Sequence, residues 1–140
     1  ILIAGFGRIG TEALSKLVDD YKSKKKLKIV LLDKNIKNIA GGIAYSKSKS
    51  KFGFFNNPLR LSNPEFIKWI KVKKNIIKIK NFIIKNKDFN LMEWLNKNKN
   101  FNSLKISKFN ELYLPRLTYS FFLEEKIKNI LKKTKKKISV

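Results

Sequence analysis

The chain opens on an unbroken apolar run, Ile1-Leu2-Ile3-Ala4, whose β-branched content predicts a short strand covered on both faces. Gly5-Phe6-Gly7-Arg8-Ile9-Gly10 follows. Residues 11–21 then bring Ala13, Leu14, Leu17, Val18 and Tyr21 to one side at helical spacing. After the polar connector 22–26, Leu27-Lys28-Ile29-Val30-Leu31-Leu32-Asp33 reads as a second buried strand that closes on an acid. The order is strand, glycine turn, helix, strand.

Residues 34–62 carry Gly41, Gly42, Gly53 and Pro58 with little periodicity, so they are expected to be mostly loop, of a length that suggests a functional segment. A helix should start near Ser62-Asn63-Pro64-Glu65, where a capping side chain precedes Pro at the first helical position and an acid sits in the first turn. Phe66, Ile67, Trp69 and Ile70 form its expected buried side. Residues 74–87 alternate Lys or Asn with Ile and Phe and fit either a strand or a helix. A short helix is expected around residues 91–95, and a long one from about Pro115 to Lys133 with Leu117, Phe121, Leu123, Ile127, Ile130 and Leu131 on a broad apolar face. No fixed-period repeat emerges.

Composition narrows the chemistry. The 140 residues hold no Cys and no His, which excludes disulfides, thiolate catalysis, Cys or His metal sites and any Ser/His or Cys/His relay. Reactivity is left to carboxylates, Lys, Tyr or a bound cofactor. The apolar runs fall far short of the ~18 residues a membrane-spanning helix needs. A strand-like start without an initiator Met or charged leader is expected of a piece of a longer protein.

The formal charge of +23 rests almost entirely on Lys, since Arg8, Arg60 and Arg116 are the only arginines. Lys, Asn and Ile, all with A/T-rich codons, dominate the chain, which points to genome bias. Lys24-Lys25-Lys26 and Lys135-Lys136-Lys137 are candidate phosphate-backbone contacts. Against that, Lys is spread over nearly every segment, and Arg, the bidentate base reader, is scarce. No specific nucleic-acid partner is expected. Lys51-Phe52-Gly53-Phe54-Phe55 superficially resembles an RNA-stacking strand, but Asn56-Asn57-Pro58 follows and Pro ends a central strand, so a buried aromatic loop is the better reading.

Gly5, Gly7 and Gly10 match the dinucleotide fingerprint. The first permits the tight turn, the second a close approach of backbone to a pyrophosphate, and the third close packing of helix on strand. Free amides at the helix start face the phosphates. Asp33 closes the second strand, where a carboxylate accepts hydrogen bonds from an adenosine ribose and disfavours a 2′-phosphate, making NADP less expected there than NAD or FAD. Arg8 either adds positive potential at the turn or is solvated.

Gly5 to Gly10 is similar to the opening of glyceraldehyde-3-phosphate dehydrogenases and of nucleotide-sensing potassium-transport regulatory domains, but over the turn alone. Gly41-Gly42-Ile43-Ala44-Tyr45-Ser46, Phe54-Phe55-Asn56-Asn57-Pro58 and Arg60-Leu61-Ser62 resemble the GxAYS and LLNxP segments, with their trailing small polar residue, of the FAD/NAD(P)-binding domain of FAD-dependent urate hydroxylase-type proteins. The stretch from Tyr113 through Pro115-Arg116 to Leu123 resembles that family's PRxxYGxYL helix start, shared more loosely with flavin N-hydroxylating monooxygenases. Ser120 stands in place of the family's Gly and Phe122 in place of its Tyr.

The resemblance implies an α/β, Rossmann-like three-layer FAD/NAD(P)-binding fold, incomplete and with a helical insertion. Residues 1–140 would be the N-terminal part of one such domain. It further implies that Gly5, Gly7 and Gly10 hold the FAD pyrophosphate, with Arg8 beside it, and that Asp33 holds the ribose. Gly41, Gly42, Asn56 and Asn57 would lie towards the flavin. Arg116 is a weaker candidate, clamping a carboxylate or phosphate or pairing with Glu111, and Tyr45 would stack or fill core. The implied activity is a cytoplasmic flavin-dependent oxidoreductase, an NAD(P)H-using hydroxylase or monooxygenase acting on a small molecule, with FAD and NAD(P)H as cofactors and no membrane partner. The alternatives are an NAD-dependent dehydrogenase and a non-catalytic nucleotide-sensing or Lys-rich nucleic-acid-binding module.

Overall fold

A computed structural model describes residues 1–23, 25–34, 42, 44, 45, 47, 53–101, 105–134, 138 and 139. Strand β1 (Leu2–Ala4) runs into helix α1 (Arg8–Asp20), and the chain returns as β2 (Leu27–Lys28) and β3 (Val30–Leu32), separated only by the buried Ile29. β1 pairs in parallel with β3 in the register Leu2↔Val30, Ile3↔Leu31, Ala4↔Leu32. β2 pairs in parallel with the chain's last strand, β4 (Ile138–Ser139). Parallel neighbours need a crossover, and α1 supplies it between β1 and β3.

Both strands were expected to be covered on two faces, and here the structure corrects the sequence. Side chains alternate across a strand. Ile3 and Leu31 pack against the core, while Leu2, Val30 and Leu32 on the opposite face are 61%, 40% and 52% exposed. Among the described residues, helix covers one face of this sheet. On α1 and its C-cap, Leu14, Leu17, Val18 and Tyr21 pack against the core as expected, and the buried side shifts only at the helix start. Ala13 is exposed, and Gly10, Thr11 and Leu14 are buried. The cause is the missing side chain of Gly10, which lets the first turn of α1 lie directly on the backbone before it.

The remaining helices form the bulk of the core. α2 (Pro64–Ile70) begins as expected: Asn63 Oδ1 accepts the Glu65 amide at 2.7 Å and Pro64 occupies the first helical turn, with Phe66 and Ile70 fully buried. The ambiguous 74–87 stretch is helical, α3 (Lys73–Asn86), because Ile76, Ile79 and Ile83 recur at three- and four-residue spacing on the buried side. Lys87 ends it in the left-handed region, φ 53°, and Asp88 at once caps α4 (Phe89–Lys97) by accepting the Leu91 amide at 3.0 Å. A five-residue helix, α5 (Ile106–Asn110), has no periodic signal in the sequence.

Helix α6 (Leu117–Thr134) is the structural hub, packing against both α1 and α2. Its first turns are buried all round, from Leu117 to Leu123. Lys126 fastens the three helices together by donating to Glu12 of α1 at 2.8 Å and Glu65 of α2 at 2.9 Å. The segment before α6 pairs with the aromatic loop: Phe54 bridges Pro115, the Phe55 amide donates to Leu114 O at 3.0 Å, and the Arg116 amide donates to Gly53 O at 2.7 Å. Among the described residues, no helix is long and apolar enough to cross a membrane.

Candidate functional site

The glycine turn connects β1 to α1, and two of its three glycines are fixed by identifiable constraints. Gly5 sits at φ +80°, a conformation that costs an L-residue roughly 1–2 kcal/mol, and its amide donates to Leu32 O at 2.8 Å. A Cβ on Gly10 would stand 2.4 Å from Gly5 O, so only glycine lets the helix rest on the turn. Gly7 takes the N-cap position with no side-chain hydrogen bond, and no acid occupies the first turn of α1. The positive end of the α1 dipole is therefore not neutralised from within the helix.

Gly7 has another close neighbour. A Cβ built on it would lie 3.4 Å from the Gly42 Cα, and one on Gly42, at φ +53°, would lie 3.2 Å from the Gly7 Cα. The two glycine-bearing segments, more than thirty residues apart, thus meet backbone to backbone. Gly41 lies outside the described residues.

Asp33 follows β3 directly at the mouth of the turn, and its Oδ2 accepts the Phe6 amide at 2.7 Å. Phe6 is buried, so this charge-assisted bond satisfies an amide that water does not reach and pins the turn to the end of the second strand. Asp33 is accordingly part of the turn's own scaffold as well as a candidate ribose acceptor.

Next to the start of α1 lies a cavity of about 340 Å³. It gathers Arg8, Asn56 and Asn57 from the expected set with Tyr45, Arg116 and Tyr119. Two of the chain's three arginines line this one cavity although lysine carries nearly all of its positive charge. Arg116 braces the wall: Nε donates to Phe54 O at 2.7 Å and Nη2 to Asn56 Oδ1 at 2.9 Å. Of the two roles expected of Arg116, the pairing with Glu111 does not form. Glu111 instead binds the third arginine, Arg60, at 2.7 Å, because the main-chain pairing turns Arg116 back towards the aromatic loop.

Arg8 spans the other side. Its hydrogen bond to the Tyr45 hydroxyl outweighs the desolvation that opposes it and holds its pKa above the ordinary guanidinium value. Its guanidinium carbon lies 5.7 Å from the centre of the Tyr119 ring. Tyr119 is only 3% exposed, and its hydroxyl has no hydrogen-bond partner among the described residues. Burial pushes the Tyr119 pKa up, with Arg8 pulling the other way. An orphaned buried hydroxyl costs about 1–3 kcal/mol, which a ligand oxygen at this wall would recover. Sequence reasoning did not single out Tyr119. The available signal was its place three residues after Arg116 at the start of α6, where the Tyr119 amide donates to Arg116 O at 3.0 Å.

A parallel strand–helix–strand unit with a glycine-restricted turn, an acid over its mouth and an arginine-lined cavity at the helix start is the architecture of a partial α/β nucleotide-binding domain. The family model described as FAD-NAD(P)-binding matches residues 2–140, and the chain belongs to that family. No curated protein and no solved structure matches it.

Proposed function

We propose that this chain is the FAD-binding segment of a flavin-dependent oxidoreductase, an NAD(P)H-using hydroxylase or monooxygenase of the type the urate hydroxylase-like resemblance implies. The observation that carries the reading is the Gly5–Gly10 turn with Asp33 at its mouth, opening beside a cavity lined by Arg8 and by Tyr119, whose buried hydroxyl has no partner among the described residues. These residues suit a dinucleotide. Gly7 and the first amides of α1 would hold the diphosphate, Arg8 would offset its charge, and Asp33 would accept from the ribose. Asn56 and Asn57 offer amide donors and acceptors to the polar edge of a ring, and Tyr45 offers a face for stacking.

FAD, when bound, supplies the electron transfer between NAD(P)H and oxygen or another acceptor. The chain's own contribution is to grip the phosphates, exclude water with the Tyr45, Phe55 and Tyr119 rings, and orient the cofactor's polar edge. The absence of Cys and His accords with chemistry carried by a cofactor.

The test is to purify the protein, load it with FAD and look for retained flavin absorbance that NADH or NADPH bleaches under anaerobic conditions and oxygen restores. Retention and bleaching support the reading. Binding of NADH without any retention of flavin would overturn it in favour of an NAD-dependent dehydrogenase.

A further inference from the structure

We infer that the Tyr119 hydroxyl and Arg8 form an oxyanion site in the wall of the cavity at the start of α1, taking a phosphate or carboxylate oxygen. The inference rests on the cofactor reading only for which molecule carries that oxygen. Three independent features meet there. α1 is 13 residues long, lacks both a side-chain cap and a first-turn acid, and so presents its positive end. Tyr119, rooted on a different helix, brings a hydroxyl that is sealed from solvent and bonded to nothing among the described residues. Arg8 lies across the Tyr119 ring, tethered to Tyr45, so a ligand oxygen that drew the guanidinium towards itself would open a path to the hydroxyl.

The chemistry favours an anion over a neutral acceptor. The elevated Tyr119 pKa keeps the phenol protonated, so it is a donor to any incoming oxygen. Arg8 supplies a forked, permanently charged donor beside it. Glu12, a nearby carboxylate on α1, accepts from Lys126 through Oε2 at 2.8 Å, which offsets part of its repulsion of an anion, while its buried Oε1 has no partner among the described residues. General attraction to a chain of charge +23 would draw anions anywhere on the surface. A hydroxyl that carries no charge distinguishes this site from that background.

Tyr119→Phe removes the donor without changing net charge, ring volume or the Arg8 contact. Wild type, Tyr119→Phe and Arg8→Lys are titrated with FAD, riboflavin and inorganic pyrophosphate at one fixed ionic strength, by flavin fluorescence and calorimetry, with thermal melts confirming the fold. If the oxygen belongs to the dinucleotide, Tyr119→Phe weakens FAD about tenfold and leaves riboflavin unchanged. If it belongs to a separate ligand, FAD is unaffected and pyrophosphate loses affinity by a similar factor. Tyr119-dependent pyrophosphate binding in a protein that takes up no flavin supports the site and refutes the cofactor reading. Folded Tyr119→Phe that binds FAD and pyrophosphate as wild type does overturns the inference while leaving the cofactor reading intact, and wild type that binds neither overturns both.

Discussion

Replacing Gly10 by Ala puts one methyl group where α1 rests on the glycine turn. The added Cβ would stand 2.4 Å from Gly5 O and 3.3 Å from both Gly5 C and Phe6 Cδ2. Ordinary contact requires the helix and turn to separate by about 1 Å, and overpacking of a tight site costs about 1–3 kcal/mol. The carbonyl it strikes is main chain and cannot swing aside, so the upper end applies. Alanine's better helix propensity returns about 1 kcal/mol. The net loss is about 2 kcal/mol, or a fall in melting temperature of roughly 8 °C for a chain of this size. Gly53→Ala is the control, since a Cβ there meets nothing within 4 Å, and its melting temperature should stay within about 2 °C of wild type. Urea and thermal unfolding of both variants, with FAD titration of the survivors, measure the difference. Gly10→Ala as stable as Gly53→Ala would refute the close seating of helix on turn from which the site is built.

Asp33→Ala should cost about 1.5–3 kcal/mol in urea unfolding, because it leaves the buried Phe6 amide without its carboxylate, and it should weaken FAD binding as well. Arg116→Lys keeps the charge but loses the fork that holds Phe54 O and Asn56 Oδ1 together; FAD affinity should fall several-fold while a charge-driven readout such as retention on a cation exchanger does not move. The Lys126 pKa is raised, burial opposing the charge but Glu12 and Glu65 outweighing it. A group whose pKa is higher in the folded state gives stability that is complete below the unfolded value of 10.5 and disappears as pH rises through the folded one. Urea midpoints should therefore fall with pH in that alkaline range more steeply for wild type than for Lys126→Met, and parallel profiles would count against the three-helix clasp.

The strand, turn, helix and acid were legible in the sequence because each rests on a local rule: β-branched apolar runs, glycine at fixed spacing, a periodic stripe, and a carboxylate at a strand end. So was the start of α2, since Asn63, Pro64 and Glu65 act within one turn. What stayed hidden depends on tertiary neighbours. The open face carrying Leu2, Val30 and Leu32 looks the same in sequence as a doubly covered strand, because an apolar run reports side-chain type and not what lies above it. Residues 74–87 gave no period clear enough to choose helix over strand until Ile76, Ile79 and Ile83 found the core. The sequence offered Glu111 to Arg116, and only the Phe54–Pro115 pairing turns Arg116 away and leaves Glu111 to Arg60. Tyr119 looks like one more aromatic in a helix until its buried hydroxyl is found without a partner among the described residues.

Equilibrium titration of the folded protein with FAD at physiological ionic strength, repeated with Asp33→Ala, tests the central claim most directly. The account predicts saturable uptake of one FAD per chain, displaced by ADP and markedly weakened in the variant. Uptake that never saturates, or that is equally tight once the carboxylate over the turn is gone, would contradict it.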